Sequence, residues 1–339
     1  MTRRKERNSL IDLYRFLAML GVMGCHQYHM GLSWYPFSNA WIFADFFFML
    51  TGYLTAGHFR QTQLVSLENA GRNAIGYTWK KFREIVPFAW TAMMMEYAYQ
   101  AVKIWMLPDQ GIKEVIHFLS DLPLEMLMLT GGYRLNVLVP SWYLSALFLV
   151  FPLFCILVQT LSRSVMSVVS LFVPVFLYAL TVMDGNCLFP DNFIRSFSDL
   201  LLGVLAYELG SSMIPKVREK IGRIWLTLIQ LICLVLPLVI SYTDPMWALR
   251  PIMLCFVIGI AITMSQESCT RVIRSRVFLY LGQITMPLYL FHWTVAGILS
   301  EPSLHLSNDE KYWLFYGISI AVAAVAYELY RLIKRKKCR

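Results

Sequence analysis

The residues most able to do chemistry in this chain are Arg15 and His26, which stand eleven positions apart inside one apolar run. Eleven residues are close to three helical turns, so both side chains leave a helix from nearly the same face, about 16 Å apart along its axis. A histidine there can act as a general base near neutral pH. An arginine can hold a phosphate or carboxylate with its two-pronged fork. Asp12 lies one turn before Arg15 and is placed to pair with it. The ordinary alternative is an arginine that snorkels to the membrane edge and an interfacial histidine.

Other ionisable groups also fall in apolar runs: Asp45, Glu96, Arg195, Asp199, Glu208, Arg250, His292 and Glu328. An ionised group at mid-bilayer costs about 2.5–3.5 kcal/mol on insertion scales, so such residues face a protein interior and mark functional paths. Arg195, Arg250, Glu208 and Glu328 are near enough to run ends to snorkel instead. No metal site is expected. The cysteines are scattered, Cys187 and Cys338 among them, without a CxxC pair or ligand spacing, and disulfides are not expected either. The chain has no glycine-rich phosphate loop and no GxSxG elbow.

These residues must be carried by membrane helices. Of 339 residues 58% are hydrophobic and only 15% charged, against about 25% charged in soluble domains; the mean hydropathy is +0.55. Apolar runs long enough to span a bilayer recur at 10–30, 40–59, 85–106, 140–161, 165–183, 193–210, 224–242, 246–264, 277–298 and 312–332. Residues 115–130 are apolar but short, and read as an interfacial or re-entrant piece. The basic stretch 60–84 reads as an amphipathic surface helix or loop. The fold class is therefore all-α, a polytopic membrane protein of about ten transmembrane helices. One membrane domain takes up 1–339, with no separate soluble domain and no internal repeat.

Lysine and arginine placement orients it. With the N-terminus inside, the inner segments hold Arg3, Arg4, Lys5 and Arg7, the basic residues of 60–84, Arg163, those of 216–223 and 271–276, and the tail from Arg331 to Arg339. The outer loops hold only Lys113, Arg134 and Lys311. This bias puts both termini in the cytoplasm. The net charge of +9 suits anionic headgroups rather than nucleic acid, because it sits in short clusters between spans. The opening looks like a signal peptide, but Asp12, Arg15 and His26 interrupt its apolar part, so it reads as a retained first helix.

Five segments resemble a known family. IDLYRFLAMLGVMGCH carries an Arg, ten residues, then a His. DFFFMLTGYL is similar to FF-x-L-S-G-F/Y-L, with Thr51 in place of Ser. KKFREIVP resembles a basic segment that usually reads Arg-x-x-Arg, here with Lys80 first and Arg83 second. PSWYLSALF and LGQITMPLYLFH complete the set. Together, in this order, they resemble the acyltransferase-3 family of integral membrane acyltransferases.

The resemblance implies an O-acetyltransferase type of enzyme in the plasma membrane, the inner membrane of the cell. It moves an acyl group, usually acetyl from acetyl-CoA on the cytoplasmic side, to a hydroxyl of a cell-surface or lipid-linked glycan, in company with glycan-assembly machinery. On that basis His26 is the base or a transient acyl carrier, and Arg15, Lys80, Lys81 and Arg83 hold acyl-CoA. Asp45, Trp142, Tyr143 and His292 meet the acceptor, and Asp12 pairs with Arg15. Trp142 and Tyr143 also fit an ordinary aromatic belt. Two other functions stay open: a secondary transporter whose buried charges carry protons, although no related halves are visible, and a scaffold in glycan assembly.

Overall fold

The computed structural model describes residues 7–32, 37–60, 64–107, 111–130, 136–183, 191–243 and 249–337. Arg3, Arg4, Lys5, Arg134, Cys187, Cys338 and Arg339 lie outside these, as do the side chains of Arg250 and Lys337. The described residues form twelve α-helices: α1 Ser9–Cys25, α2 Phe43–Phe59, α3 Leu67–Trp105, α4 Ile112–Leu119, α5 Leu122–Met126, α6 Ser141–Thr160, α7 Arg163–Met183, α8 Asp191–Glu208, α9 Ile214–Thr243, α10 Leu249–Ser265, α11 Arg276–Leu299 and α12 Asn308–Lys337. Ten are long and correspond to the ten expected spans. The stretch 115–130 becomes the short pair α4 and α5.

Two boundaries differ from expectation. The basic stretch 60–84 is not a separate surface element. It continues into the next span as one 39-residue helix, α3, whose start is capped by the Ser66 side chain. At 1.5 Å per residue α3 is about 58 Å long, far beyond the hydrocarbon thickness, so its basic first half stands outside the apolar layer. Residues 209–213, which straddle the end of the 193–210 run, form a π-helical turn joining α8 to α9. Gly222, at φ 80°, then bends the path within α9.

Among the described residues five helical stretches are both long and apolar enough to cross a membrane. On α7, Phe172, Val175 and Phe176 are more than 60% exposed. Large apolar side chains on an outer face suit lipid, not water. α2 is the reverse, with most of its apolar window buried inside the bundle. The chain is a multi-pass membrane protein.

Two close approaches set the centre. A Cβ at Gly52 of α2 would stand 2.1 Å from the Leu200 carbonyl oxygen, and one at Gly203 of α8 would stand 2.1 Å from that of Met49. Only glycine at both places lets these backbones touch. At Gly282 of α11 a Cβ would lie 2.4 Å from Asp12 Oδ1, so α11 packs straight onto the charged turn of α1.

α1 and α11 run in the same direction from a shared start. The Asn8 side chain caps α1 by accepting from the Leu10 and Ile11 amides, while its own Nδ2 donates to the Thr263 carbonyl at 2.7 Å. The Ser275 amide donates to Ser9 Oγ at 3.1 Å, and the Ser275 side chain caps α11.

Candidate active site

α1 presents Arg15, Val22 and His26 along one stripe, and all three line a single narrow cavity. Trp41 from the 3-10 turn before α2, Ala44 and Phe47 from the start of α2, Trp142 and Tyr143 from α6, and Thr285, Met286 and Tyr289 from α11 close it. His26 stands where α1 tightens into a 3-10 turn, His26–Met30, which ends at Gly31 in the left-handed conformation. The tightening puts the imidazole at the top of the stripe.

His26 Nδ1 is 2.7 Å from His292 Nε2, and the two ring planes are 11° apart. His292 Nδ1 in turn lies 3.2 Å from the Leu288 carbonyl oxygen, one turn back on α11. A carbonyl only accepts, so His292 Nδ1 carries its proton and donates it there. His292 Nε2 is then the acceptor, and His26 Nδ1 is the donor to it. This order leaves a lone pair on His26 Nε2, and His26 lines the cavity. His292 is fully buried and does not line the cavity. Trp293 lies between His26, whose ring it meets edge-on at 5.4 Å, and His29, on which it stacks at 4.3 Å. His29 is thus part of the wall behind the pair.

At the other end, Asp12 is nearly fully buried and accepts from two arginines. Arg15 Nη1 donates at 2.9 Å, and Arg7 donates through Nε at 3.0 Å and Nη2 at 2.7 Å. Arg7 was legible only as one of a cluster of N-terminal charges. Its fork is what makes Asp12 a bridge rather than a pair.

Asp45 is paired across the bundle. Its Oδ1 accepts from Arg195 Nε at 3.1 Å and Nη2 at 2.6 Å. Arg195 therefore turns inward rather than snorkelling. Its guanidinium lies 5.0 Å from the Trp41 ring centre and 5.6 Å from that of Trp142, a cation held between two aromatic faces. Asp199 accepts from the Tyr178 hydroxyl at 2.6 Å.

Trp142 and Tyr143 are set by what precedes them. Glu125 on α5 is buried and accepts from the Tyr97 hydroxyl at 2.9 Å, the amides of Val137 and Leu138 at 3.2 and 3.0 Å, and Ser141 Oγ at 2.9 Å. The Tyr289 hydroxyl donates to the Pro140 carbonyl at 2.8 Å. Tyr143 stacks on Phe48 at 4.2 Å and is hydrogen-bonded to Thr51. The aromatic pair faces the cavity, and Glu125 fixes the lead-in to α6.

Lys80, Lys81 and Arg83 are not gathered around Arg15. Lys80 and Arg83 line a groove against Tyr330 and Lys334 of α12, with Glu84 beside them. Lys81 lies over the Tyr77 ring at 5.7 Å and 4.0 Å from Glu84. None of the three lines the Arg15–His26 cavity. Among the described residues no group of three or more His, Cys, Asp or Glu is placed to hold a metal.

Beyond the helix ends, Glu301 receives hydrogen bonds from Lys103 Nζ at 2.8 Å and from the Tyr99 hydroxyl. These hold its carboxyl below the usual range. The Gly297 carbonyl oxygen lies 2.7 Å from the same Tyr99 hydroxyl, whose single proton is shared between it and Glu301, fastening α3 to the end of the helix that carries His292.

Neither a search of curated proteins nor one of solved structures returns a match. The family model described as an acyltransferase domain matches residues 8–327, a stretch that holds the paired histidines, the Asp12 bridge and the aromatic wall. This chain belongs to the acyltransferase-3 family, the membrane acyltransferases.

Proposed function

We propose that the chain takes an acyl group, acetyl in the simplest case, from acyl-CoA on the cytoplasmic side and transfers it to a hydroxyl of a cell-surface or lipid-linked glycan. His26 is the general base. The single observation carrying this reading is the ordered chain from the Leu288 carbonyl through His292 to His26, which leaves the His26 Nε2 lone pair in a cavity whose other end is Arg15.

The steps follow from that order. His26 Nε2 removes the proton of the acceptor hydroxyl, and the oxygen attacks the thioester carbonyl. The tetrahedral centre collapses with cleavage of the C–S bond. The thiolate of CoA leaves and takes the proton back from His26 Nε2, so the base is regenerated. His292 touches no substrate here; it fixes the tautomer of His26 and stabilises the imidazolium that forms. That replaces acceptor contact as its role. Arg15, about 16 Å from His26 along α1, is too far to reach the reacting carbonyl and instead holds the donor. Trp142 and Trp41 offer flat apolar faces on which a sugar stacks.

This reading puts both termini on the cytoplasmic side of the plasma membrane. The Lys and Arg bias supports that side, because the basic start of α3, the 271–276 segment and the end of α12 then share it. The test is mass spectrometry of surface glycans from cells with the wild-type gene, without it, and with His26→Ala. Loss of the acyl mass in the last two is expected. Acylation at the wild-type level in His26→Ala overturns the assignment.

A further inference from the structure

Three elements begin at the end of the bundle where α1 finishes with His26. Trp41 lies just before α2, Trp142 is the second residue of α6, and Arg195 is in the first turns of α8. Both tryptophans line the cavity that holds His26, and Arg195 does not. We infer that Arg195 is a positioning residue for the acceptor: by fixing Trp41 and Trp142 it shapes that half of the cavity to receive an uncharged sugar ring. The inference rests on the glycan-acylation reading above and deepens it, naming what sets acceptor binding and which class of acceptor fits.

The two indoles are joined through Arg195. Trp142 also packs near Phe48 and Tyr143. Trp41 sits on a three-residue 3-10 turn and is 40% exposed. Among the described residues its ring contact is with the Arg195 guanidinium, 5.0 Å away, which also lies 5.6 Å from the Trp142 ring centre. A planar cation prefers the faces of indole rings and so holds both in place. The cation is itself held. Nε and Nη2 both donate to Asp45 Oδ1, and Asp45 has no exposed surface. Its helix, α2, touches the helix of Arg195 backbone to backbone at Gly52 and Gly203. Walls set before the ligand arrives need no ordering on binding, which strengthens it.

Charge and hydrogen bonding name the acceptor class. Asp45 already balances Arg195. Arg15 is the only lysine or arginine lining the cavity, and it is spent on Asp12 at the donor end. An acidic sugar would lose water around its charge and meet no unspent cation. The polar atoms of the wall say the same. Thr285 and Tyr289 give their protons to the Leu281 and Pro140 carbonyls, so their oxygens can only accept from a ligand. His26 Nε2 is an acceptor too. Sugar hydroxyls donate to such atoms, whereas a carboxylate or phosphate cannot.

The test uses the full-length protein in phosphatidylcholine nanodiscs with radiolabelled acetyl-CoA. The acceptor probe is surface polysaccharide of the host cell, stripped of acyl groups by mild base and split by anion exchange into neutral and acidic fractions. Label is expected in the neutral fraction. Asp45→Asn combined with Arg195→Met removes the cation without leaving a lone buried charge. It should raise the KM for the neutral fraction about tenfold, with little change in kcat or in the KM for acetyl-CoA. Arg195→Lys, which keeps the charge but not the plane, should fall between. Trp41→Ala, at an exposed position, should raise the same KM and covers a double variant that fails to fold. A merely structural role lowers the amount of active protein, and so kcat, at constant acceptor KM. That pattern, or a wild-type acceptor KM in the double variant or in Trp41→Ala, overturns the positioning role. Label in the acidic fraction alone overturns the acceptor class. Label in neither fraction with wild-type protein sinks the acyl-transfer reading itself, a separate failure.

Discussion

His26 and His292 stand level, 2.7 Å apart, on two helices that start side by side. Ser9 and Ser275 are hydrogen-bonded at the base, and each histidine comes seventeen residues later on its own helix. Equal numbers of residues in two parallel helices reach the same height, about 25 Å up. The staple at the bottom thus sets the register of the imidazoles at the top.

That register makes His292 a positioning residue. His26→Ala is expected to lower turnover by about 10²–10⁴, the usual contribution of a positioned base. His292→Ala is expected to lose about 10², since the base keeps its chemistry but not its orientation. Its pH–rate profile should move as well, because the imidazolium loses its acceptor. A profile superimposable on the wild type in His292→Ala contradicts the relay.

Gly282→Ala drives a methyl group into Asp12. Overpacking of this kind costs about 1–3 kcal/mol, seen as a lower melting temperature in detergent. Gly317→Ala, on the exposed side of α12 with nothing within 4 Å of the new carbon, is the matched control and should melt no lower than the wild type. Equal melting of both variants rules out the contact.

Breaking the Asp45–Arg195 pair from one side leaves an unpaired charge. Asp45→Asn or Arg195→Met alone should destabilise by about 3–5 kcal/mol, the range for one-sided removal of a buried ion pair. The double variant should recover much of that loss, giving a coupling that a thermal double-mutant cycle reads directly. Strict additivity of the two changes speaks against the pair.

The Lys103–Glu301 latch has a defined pH response. The folded carboxyl sits below its usual range because Lys103 and Tyr99 donate to it. A depressed folded value gives stabilisation that is fully present above the unfolded value and fades as pH falls through the folded one. Hydrogen-exchange protection around Leu299–Glu301 should therefore stay level from neutral pH down to about pH 5 and fall below the ordinary carboxylate range, near pH 4. Glu301→Gln should remove that acid dependence. A loss of protection already between about pH 6 and 8 points to another group.

What the sequence determined by itself was the helical content and the facing of α1. The apolar runs marked the ten long helices, because bilayer thickness dictates run length. The eleven-residue interval put Arg15, Val22 and His26 on one stripe, because helical periodicity is local. Only tertiary structure decided the partners. Asp45 met Arg195 because Gly52 and Gly203 bring α2 and α8 into backbone contact, and a lone charge in an apolar run does not say which helix will face it. His292 lay against His26 because α11 is fastened to α1 at Ser275, a bond across more than 260 residues of chain. Lys80 and Arg83 fell away from Arg15 because α3 runs unbroken through both, carrying its basic half to α12. Spacing along one helix is written in the order of residues; distances between helices follow from how their surfaces fit.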